Sequence, residues 1–257
     1  MGISLKSQEE IELMRKAGEI LAITHEEMRK FIKPGITTHD IDKLGEEVIR
    51  SYGCTPSFLN YQGYPASICI SVNDEVVHGI PSKKRYIKEG DIVSLDAGVI
   101  YKGYHSDAAR TYGVGEISKE ARYLIEATEQ SFYEGIKMAV PGNHIRDIGR
   151  AIEKYILSAG LSVVLDLVGH GVGRNLHEEP EIPNYNTWKR GAKLKPGMTL
   201  AVEPMVNLGD YPVMWMDDGW TVVTADNSLS AHYENTILIT EGEPEILSKM
   251  KKVNNNS

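Results

Sequence analysis

GDIVSLDAGVIYKGYHSDAARTY, residues 90–112, is the stretch whose reading decides the fold. Its first half is an apolar, β-branched run of the kind that forms a buried strand. Asp96 stands in the middle of that run, where an unpaired carboxylate is costly. A second strand-like segment follows Lys102-Gly103, a natural reversal, and carries Asp107. A reversal around Tyr101 and Lys102 sets Asp96 opposite Asp107 across a hairpin. Two like charges opposed on one sheet face destabilise it unless something cationic lies between them. A bound metal ion is the economical answer; one solvated and one turn aspartate is the alternative.

Outward from the hairpin, the chain alternates helices and strands. Ser7-Gln8-Glu9-Glu10 has the form of a capping box, and Ile11, Met14, Gly18, Leu21, His25, Met28 and Ile32 follow at helical spacing until Lys33-Pro34-Gly35. A second helix carries Ile41, Leu44, Val48 and Tyr52 and ends at Gly53. Strands are expected at 67–72 and 76–78 before the hairpin. A long helix through Ala121, Leu124, Ile125, Thr128, Phe132 and Ala139 stops at Pro141-Gly142, and another with Ile148, Ile152 and Ile156 ends at Gly160. The remainder reads as strands at 163–168, 199–206, 220–224 and 232–239, with Val253–Ser257 expected to fray.

That order contains a repeat. Pro34-Gly35, Asp40-Ile41, Gly53 and Lys88-x-Gly90 recur as Pro141-Gly142, Asp147-Ile148, Gly160 and Lys195-x-Gly197, always 107 residues later. The same shift carries Asp96 onto Glu203. The chain therefore reads as one α+β domain, 1–257, built from two similar halves at about 7–113 and 114–247, with an insertion at about 207–230. Halves packed about a pseudo-twofold axis bring Asp96 and Glu203 together at the seam, where ligand sites tend to lie.

Composition narrows the function. A chain of 257 residues buries a sizeable core. Its formal charge of -8 argues against a nucleic-acid surface. Two cysteines imply no disulfide framework. The amino-terminal stretch lacks the apolar core of a signal peptide, no run is long enough for a membrane span, and Lys6 stands where a myristoylation motif wants Ser or Thr. A soluble, cytoplasmic protein is expected.

Glu203 ends the apolar stretch 198–202 and is held extended by Pro204. Glu234 enters the apolar strand 232–239. Strand propensity would not put acids at these places. Singly each reads as a solvated edge residue; together with Asp96 and Asp107 they do not. His170, between glycines in Gly169-His170-Gly171-Val172-Gly173, supplies a nitrogen, although a tight turn exposing a histidine would look the same. This oxygen-rich set with one imidazole suits Mn, Fe(II), Co or Zn rather than a thiolate-bound structural zinc. Four carboxylates are neutralised by two divalent ions, and such pairs activate water for hydrolysis. His78 and His177 lie near the same strands, as structural or functional histidines.

The motifs Val77-His78-Gly79-Ile80-Pro81, Ser94-Leu95-Asp96-Ala97-Gly98, Gly103-Tyr104-His105-Ser106-Asp107, Gly169-His170-Gly171-Val172-Gly173, Leu176-His177-Glu178-Glu179-Pro180, Val202-Glu203-Pro204 and Asp218-Gly219-Trp220-Thr221 stand together here. With them, residues 7–240 resemble the type I methionine aminopeptidases of the bacterial kind, M24 metallopeptidases with the pita-bread (creatinase/aminopeptidase) fold. The resemblance implies two pseudo-twofold-related halves with antiparallel sheet and flanking helices around a dinuclear centre. It implies that Asp96 chelates one metal, that His170 and Glu203 serve the other, and that Asp107 and Glu234 bridge both. The reaction implied is hydrolytic removal of the initiator methionine from nascent proteins with a small second residue. Glu203 would accept a proton from the attacking water, while His177 polarises the carbonyl and His78 hydrogen-bonds the scissile amide. The implied methionine pocket includes Tyr61, Tyr64, Cys69 and Trp220, and an aromatic box with a thiol suits a thioether.

The chain departs from the family pattern in places. Leu176 and Phe58 stand in the pocket wall where some relatives carry an aromatic and a cysteine. Ser106 replaces a common glycine, and His232 and Asn235 alter the surroundings of Glu234. Two other readings use the same fold: an Xaa-Pro aminopeptidase, which usually carries an extra amino-terminal domain not expected here, and a catalytically silent peptide-binding module, which typically loses ligands. The role implies transient ribosome association and nascent methionyl peptides as partners, with a monomer the simpler expectation and neither nucleic-acid specificity nor a membrane partner.

Overall fold

A computed structural model describes residues 2–249, so the tail at 253–257 lies outside the described residues. Helix α1 (Gln8–Phe31) starts at the expected capping box: Ser7 Oγ accepts from the Glu10 amide, and Glu10 Oε2 accepts from the Ser7 amide. Helix α2 (Thr38–Ser51) follows, then β1 (Thr55–Pro56), a short 3-10 turn (Tyr61–Gly63), β2 (Ile68–Val72) and β3 (Glu75–Val77). The deciding stretch forms β4 (Ile92–Tyr101) and β5 (Tyr104–Gly113). Helices α3 (Lys119–Ile136) and α4 (Ile145–Ser158) open the second part of the chain. Short strands then succeed one another: β6 (Ser162–Val163), β7 (Gly169–Gly171), β8 (Glu178–Ile182), β9 (Thr199–Val202) and β10 (Met205–Asn207). After them come β11 (Val213–Trp215), β12 (Val222–Thr224), β13 (Ser230–His232), β14 (Asn235–Leu238) and β15 (Glu245–Ile246).

Among the described residues every strand pairing is antiparallel. One sheet runs β1-β4-β2 with β5 on β4, and another runs β15-β14-β9-β7-β8. Each is backed by its own helix pair and core. Ile20, Leu21, Met28 and Ile41 pack on Ile68, Ile70, Leu95 and Val99 in the first. Leu124, Phe132, Ile148 and Ile152 pack on Leu200, Val202 and Ile237 in the second. Smaller sheets, β13-β10-β6 and β11-β12-β3, stand beside them.

The 107-residue repeat survives in backbone detail. Gly35 and Gly142 share φ of 92 and 96°, Gly53 and Gly160 share 70 and 71°, and Gly90 and Gly197 share 87 and 88°. Isolated bridges join Thr37 to Tyr86 and His144 to Lys193. The Thr37 and His144 amides each donate 2.9 Å bonds to an aspartate three residues on, Asp40 or Asp147.

The hairpin register corrects one expectation. Tyr101 pairs with Tyr104, so Lys102 and Gly103 form a two-residue loop with φ of 48 and 83°, the positive-φ turn that fits strand twist. The reversal centre lies later than expected. Asp96 therefore opposes Ala109, and Asp107 opposes Gly98. The two acids are diagonal neighbours on one face, not a directly opposed pair.

Three expected strands are also different. The run 163–168 keeps strand geometry only to Val163; Leu167 and Val168 leave the sheet to line a cavity. The runs 199–206 and 232–239 are each interrupted, at Glu203-Pro204 and at Tyr233-Glu234. The interruptions meet, with the Tyr233 amide donating to the Pro204 carbonyl at 3.2 Å.

Candidate metal centre

The seam between the two sheets is sewn by main chain and threonine. Glu234 and Ala109 exchange amide-to-carbonyl bonds of 2.9 and 3.3 Å. Thr236 Oγ1 accepts from the Asp107 amide at 2.8 Å and donates to the Asp107 carbonyl at 2.9 Å. These bonds set Asp107, on β5, beside Glu234. His170 enters from β7, the strand between β8 and β9. A Cβ at Gly169 would stand 2.3 Å from the Ala201 carbonyl oxygen, and one at Gly171 would stand 2.3 Å from that of Glu179. Close strand approach, rather than a tight turn, is why glycines flank this histidine.

Donor atoms of Asp107, His170 and Glu234 lie within 4.8 Å of one another. His170 Nε2 is 3.9 Å from Asp107 Oδ2 and 3.6 Å from Glu203 Oε1. Asp96 joins the cluster as the diagonal neighbour of Asp107 on the hairpin face, close enough that Asp107 and Glu203 add to burial in raising its carboxyl. Asp96 Oδ1, Asp107 Oδ1 and Glu234 Oε1 are buried without a hydrogen-bond partner. The nearby guanidinium of Arg110 does not pair with them; it donates to the Ala109 and Glu234 carbonyls and to Asn235 Oδ1 and lies over the Tyr233 ring.

Charge state follows from burial. Burial, and then the neighbouring acids, hold Asp96, Glu203 and Glu234 well above the usual carboxylate range, and burial pushes Asp107 up to about 7. Burial and the adjacent His177 lower His170 to about 3, so its imidazole is neutral, as a ligand must be. Its Nδ1 is fixed by the Gly171 carbonyl at 2.9 Å, which leaves Nε2 free to face the acids. Buried, partnerless carboxylates beside a neutral imidazole fit divalent cations and little else.

A cavity of about 230 Å³ opens on this cluster and is lined by every residue the sequence singled out: Phe58, Tyr61, Tyr64, Cys69, His78, Asp96, Asp107, His170, Leu176, His177, Glu203, Trp220 and Glu234. Phe58, Tyr64, Cys69 and Leu176 form one apolar cluster with Tyr61, Ile80 and Trp220 packed on it. Tyr64 and Trp220 meet edge to face at 5.1 Å. His177 Nδ1 is hydrogen-bonded to the Tyr61 hydroxyl at 2.7 Å, and its ring lies 4.2 Å from that of His170. Tyr61 is presented by a turn in which Asn60 and Gln62 take φ of 65 and 48°, strain of the kind that clusters at functional sites. His78 also sits at positive φ, 60°, and burial lowers it to about 4. Sequence reasoning did not assign the lining residues Gln62, Val77, Leu167, Val168, Met205 and His232 to the site. Val77 and Met205 stand next to assigned motifs, a signal that was available; Leu167 and Val168 were hidden inside an expected strand.

A buried carboxylate–imidazole cluster between two related sheets, opening on an apolar pocket, defines a metal-dependent hydrolase centre. Residues 12–241 match metallopeptidase family M24. The chain is 55% identical over 249 residues to the methionine aminopeptidase of Clostridium perfringens, covering 97% of this chain and 100% of that protein. It is 49% identical to methionine aminopeptidase 1 of Bacillus subtilis over 96% of this chain and 100% of that protein. The crystal structure of the Thermotoga maritima methionine aminopeptidase superimposes with a TM-score of 0.94 at 48% identity, covering 96% and 100% of the two chains. Prolidase from Pyrococcus furiosus superimposes at 0.78 with 25% identity, and the match covers 96% of this chain but 66% of that one. The chain belongs to metallopeptidase family M24. It has the pita-bread fold, with divalent-metal binding as the family property.

Proposed function

We propose that this protein removes the amino-terminal initiator methionine from nascent proteins, preferring a small second residue. The observation that carries the reading is the juxtaposition of the acid–imidazole cluster with the Phe58–Tyr64–Cys69–Leu176–Trp220 pocket in one cavity. Full-length similarity to methionine aminopeptidases supports it over the prolidase reading. In this reading residues 1–257 are one catalytic domain with halves at about 7–113 and 114–247.

Asp96, Asp107, His170, Glu203 and Glu234 would hold two divalent ions, with Fe(II), Mn(II), Co(II) or Zn suited to the donors. When bound, such ions supply charge neutralisation, Lewis acidity and an acidified water. The protein's own groups do the rest. Glu203 receives the proton of the attacking water. With the Tyr61 hydroxyl donating to Nδ1, the His177 proton sits on Nε2 and is offered to the scissile carbonyl. His78 hydrogen-bonds the scissile amide. The methionine side chain fills the apolar pocket, where its sulfur meets Tyr64 and Trp220. A monomer acting in the cytoplasm and visiting the ribosome transiently is the setting that goes with this reading.

Metal-stripped protein titrated anaerobically with Fe(II), Mn(II) or Co(II) tests the proposal. Methionine should be released from Met-Gly-Met-Met and Met-Ala-Ser but not from Met-Leu-Ser, and Ala-Pro-Ala should stay intact. Cleavage of the proline peptide alone would instead assign Xaa-Pro specificity. Metal binding without turnover would leave a peptide-binding module.

A further inference from the structure

His232 is one of the few buried side chains at the centre that the reaction described above does not use. It is 2% exposed, lines the same cavity, and neither ring nitrogen has a hydrogen-bond partner. An imidazole buried without partners carries the full desolvation penalty of its ring nitrogens, so a role that satisfies it is expected. Its position is fixed from behind: the His232 amide donates to Thr111 Oγ1 at 2.9 Å, and the Thr111 hydroxyl donates back to the His232 carbonyl at 2.9 Å. On β13, His232 pairs with Met205, just past the Glu203-Pro204 interruption.

The ring faces Glu203. His232 Nε2 is 3.8 Å from Glu203 Oε2, while the other oxygen, Oε1, faces His170 Nε2 at 3.6 Å. The two carboxylate oxygens are thus divided between two imidazoles. We propose that His232 is a positioning residue for Glu203: its Nε2–H donates to Oε2 and holds the carboxylate so that Oε1 is presented to the metal centre. The gap is too long for a hydrogen bond as it stands; rotation of the Glu203 carboxyl by about 1 Å at Oε2 closes it to the usual range. Ligating carboxylates are generally held this way by a donor behind them, and loss of such a donor typically costs 10–100-fold in metal affinity or activity. The inference rests on the metal-centre reading above.

An isosteric pair separates donation from packing. His232→Gln restores an N–H donor, and His232→Met fills similar space without one. The readouts are Mn(II) affinity of the stripped protein by calorimetry, kcat against KM on Met-Ala-Ser, and the imidazole count of the Co(II)-loaded protein by X-ray absorption. Expected are Gln within about threefold of the parent, Met weaker by about 10–100-fold in metal affinity and kcat with little change in KM, and one imidazole count throughout. Two results would overturn it. Equal affinity and kcat in both variants would make His232 packing only, and loss of an imidazole in both would make it a direct ligand. If the parent itself takes up no metal, the metal-centre reading fails instead, which the same titration reports.

Discussion

The two halves place their acids by opposite means. In the first, Asp96 and Asp107 sit within an uninterrupted hairpin of two ten-residue strands, and register alone sets them on one face. In the second, Glu203 and Glu234 occupy breaks between short strands, and the breaks lean on each other through Tyr233 and Pro204. A related backbone, repeated down to its positive-φ glycines, therefore tolerates two local solutions so long as the carboxylates converge. Convergence at the seam is what the chemistry requires, and strand regularity is not.

The strongest way to break that comparison is at the hairpin. Asp107→Asn keeps the shape and the two Thr236 bonds but removes a charge; activity should fall about a thousandfold or more, as expected for a member of a unit that acts together. Metal uptake measured by calorimetry should fall with it. Retained activity would mean that the first half's acids do not belong to the centre.

A pH series sharpens the comparison further, because the centre joins both halves. With Asp107 raised to about 7 and its partners also raised, the acids of the folded metal-free centre hold more protons than they do unfolded above about pH 4, while the buried His78 and His170, lowered to about 4 and 3, hold fewer up to about pH 6.5. The two contributions oppose each other up to about pH 6.5, so the stripped protein should lose stability with rising pH only from there through about 7, where the acids alone still titrate. Metal loading requires the ionised acids, so the gain in melting temperature on adding Mn(II) should grow with pH as those acids titrate. A gain independent of pH would show that the acids are already ionised without metal.

The smallest effect belongs to the hairpin turn. Lys102 is a side-chain-bearing residue at φ 48°. Lys102→Gly should stabilise by up to about 1 kcal/mol, read as a higher denaturant midpoint with unchanged slope. A lower midpoint would mean that the Lys102 stack on Tyr101 outweighs backbone strain.

The legible parts of this molecule were those written locally. Ser7 and Glu10 cap a helix as their spacing predicts, and the paired glycines mark the repeat because no other residue takes those turns cheaply. The acids stood out because an apolar strand has no other reason to hold them. Register was read only to within one position of the turn centre: Gly103 marks one positive-φ residue, but Lys102 is not a type that favours that region, so the second was not fixed by the sequence. The interruptions differ in legibility: Pro204, with no N–H for the ladder, marks the first locally, whereas the break at Tyr233-Glu234 leans on Pro204, far away in sequence. His232 was visible as a departure from the family pattern, but its nearness to Glu203 follows from the pairing of β10 with β13, which is not local information.

The spread of the donors from Asp96 to Glu234 also has a consequence in time. The first hairpin can form while later residues are still being added, yet it holds only Asp96 and Asp107. His170, Glu203 and Glu234 must be made first, and at roughly 5–20 residues per second Glu234 follows Asp96 by about 7–28 seconds. On the proposed donor set a chain under construction is therefore an incomplete chelator, and cutting has to wait until Glu234 is in place.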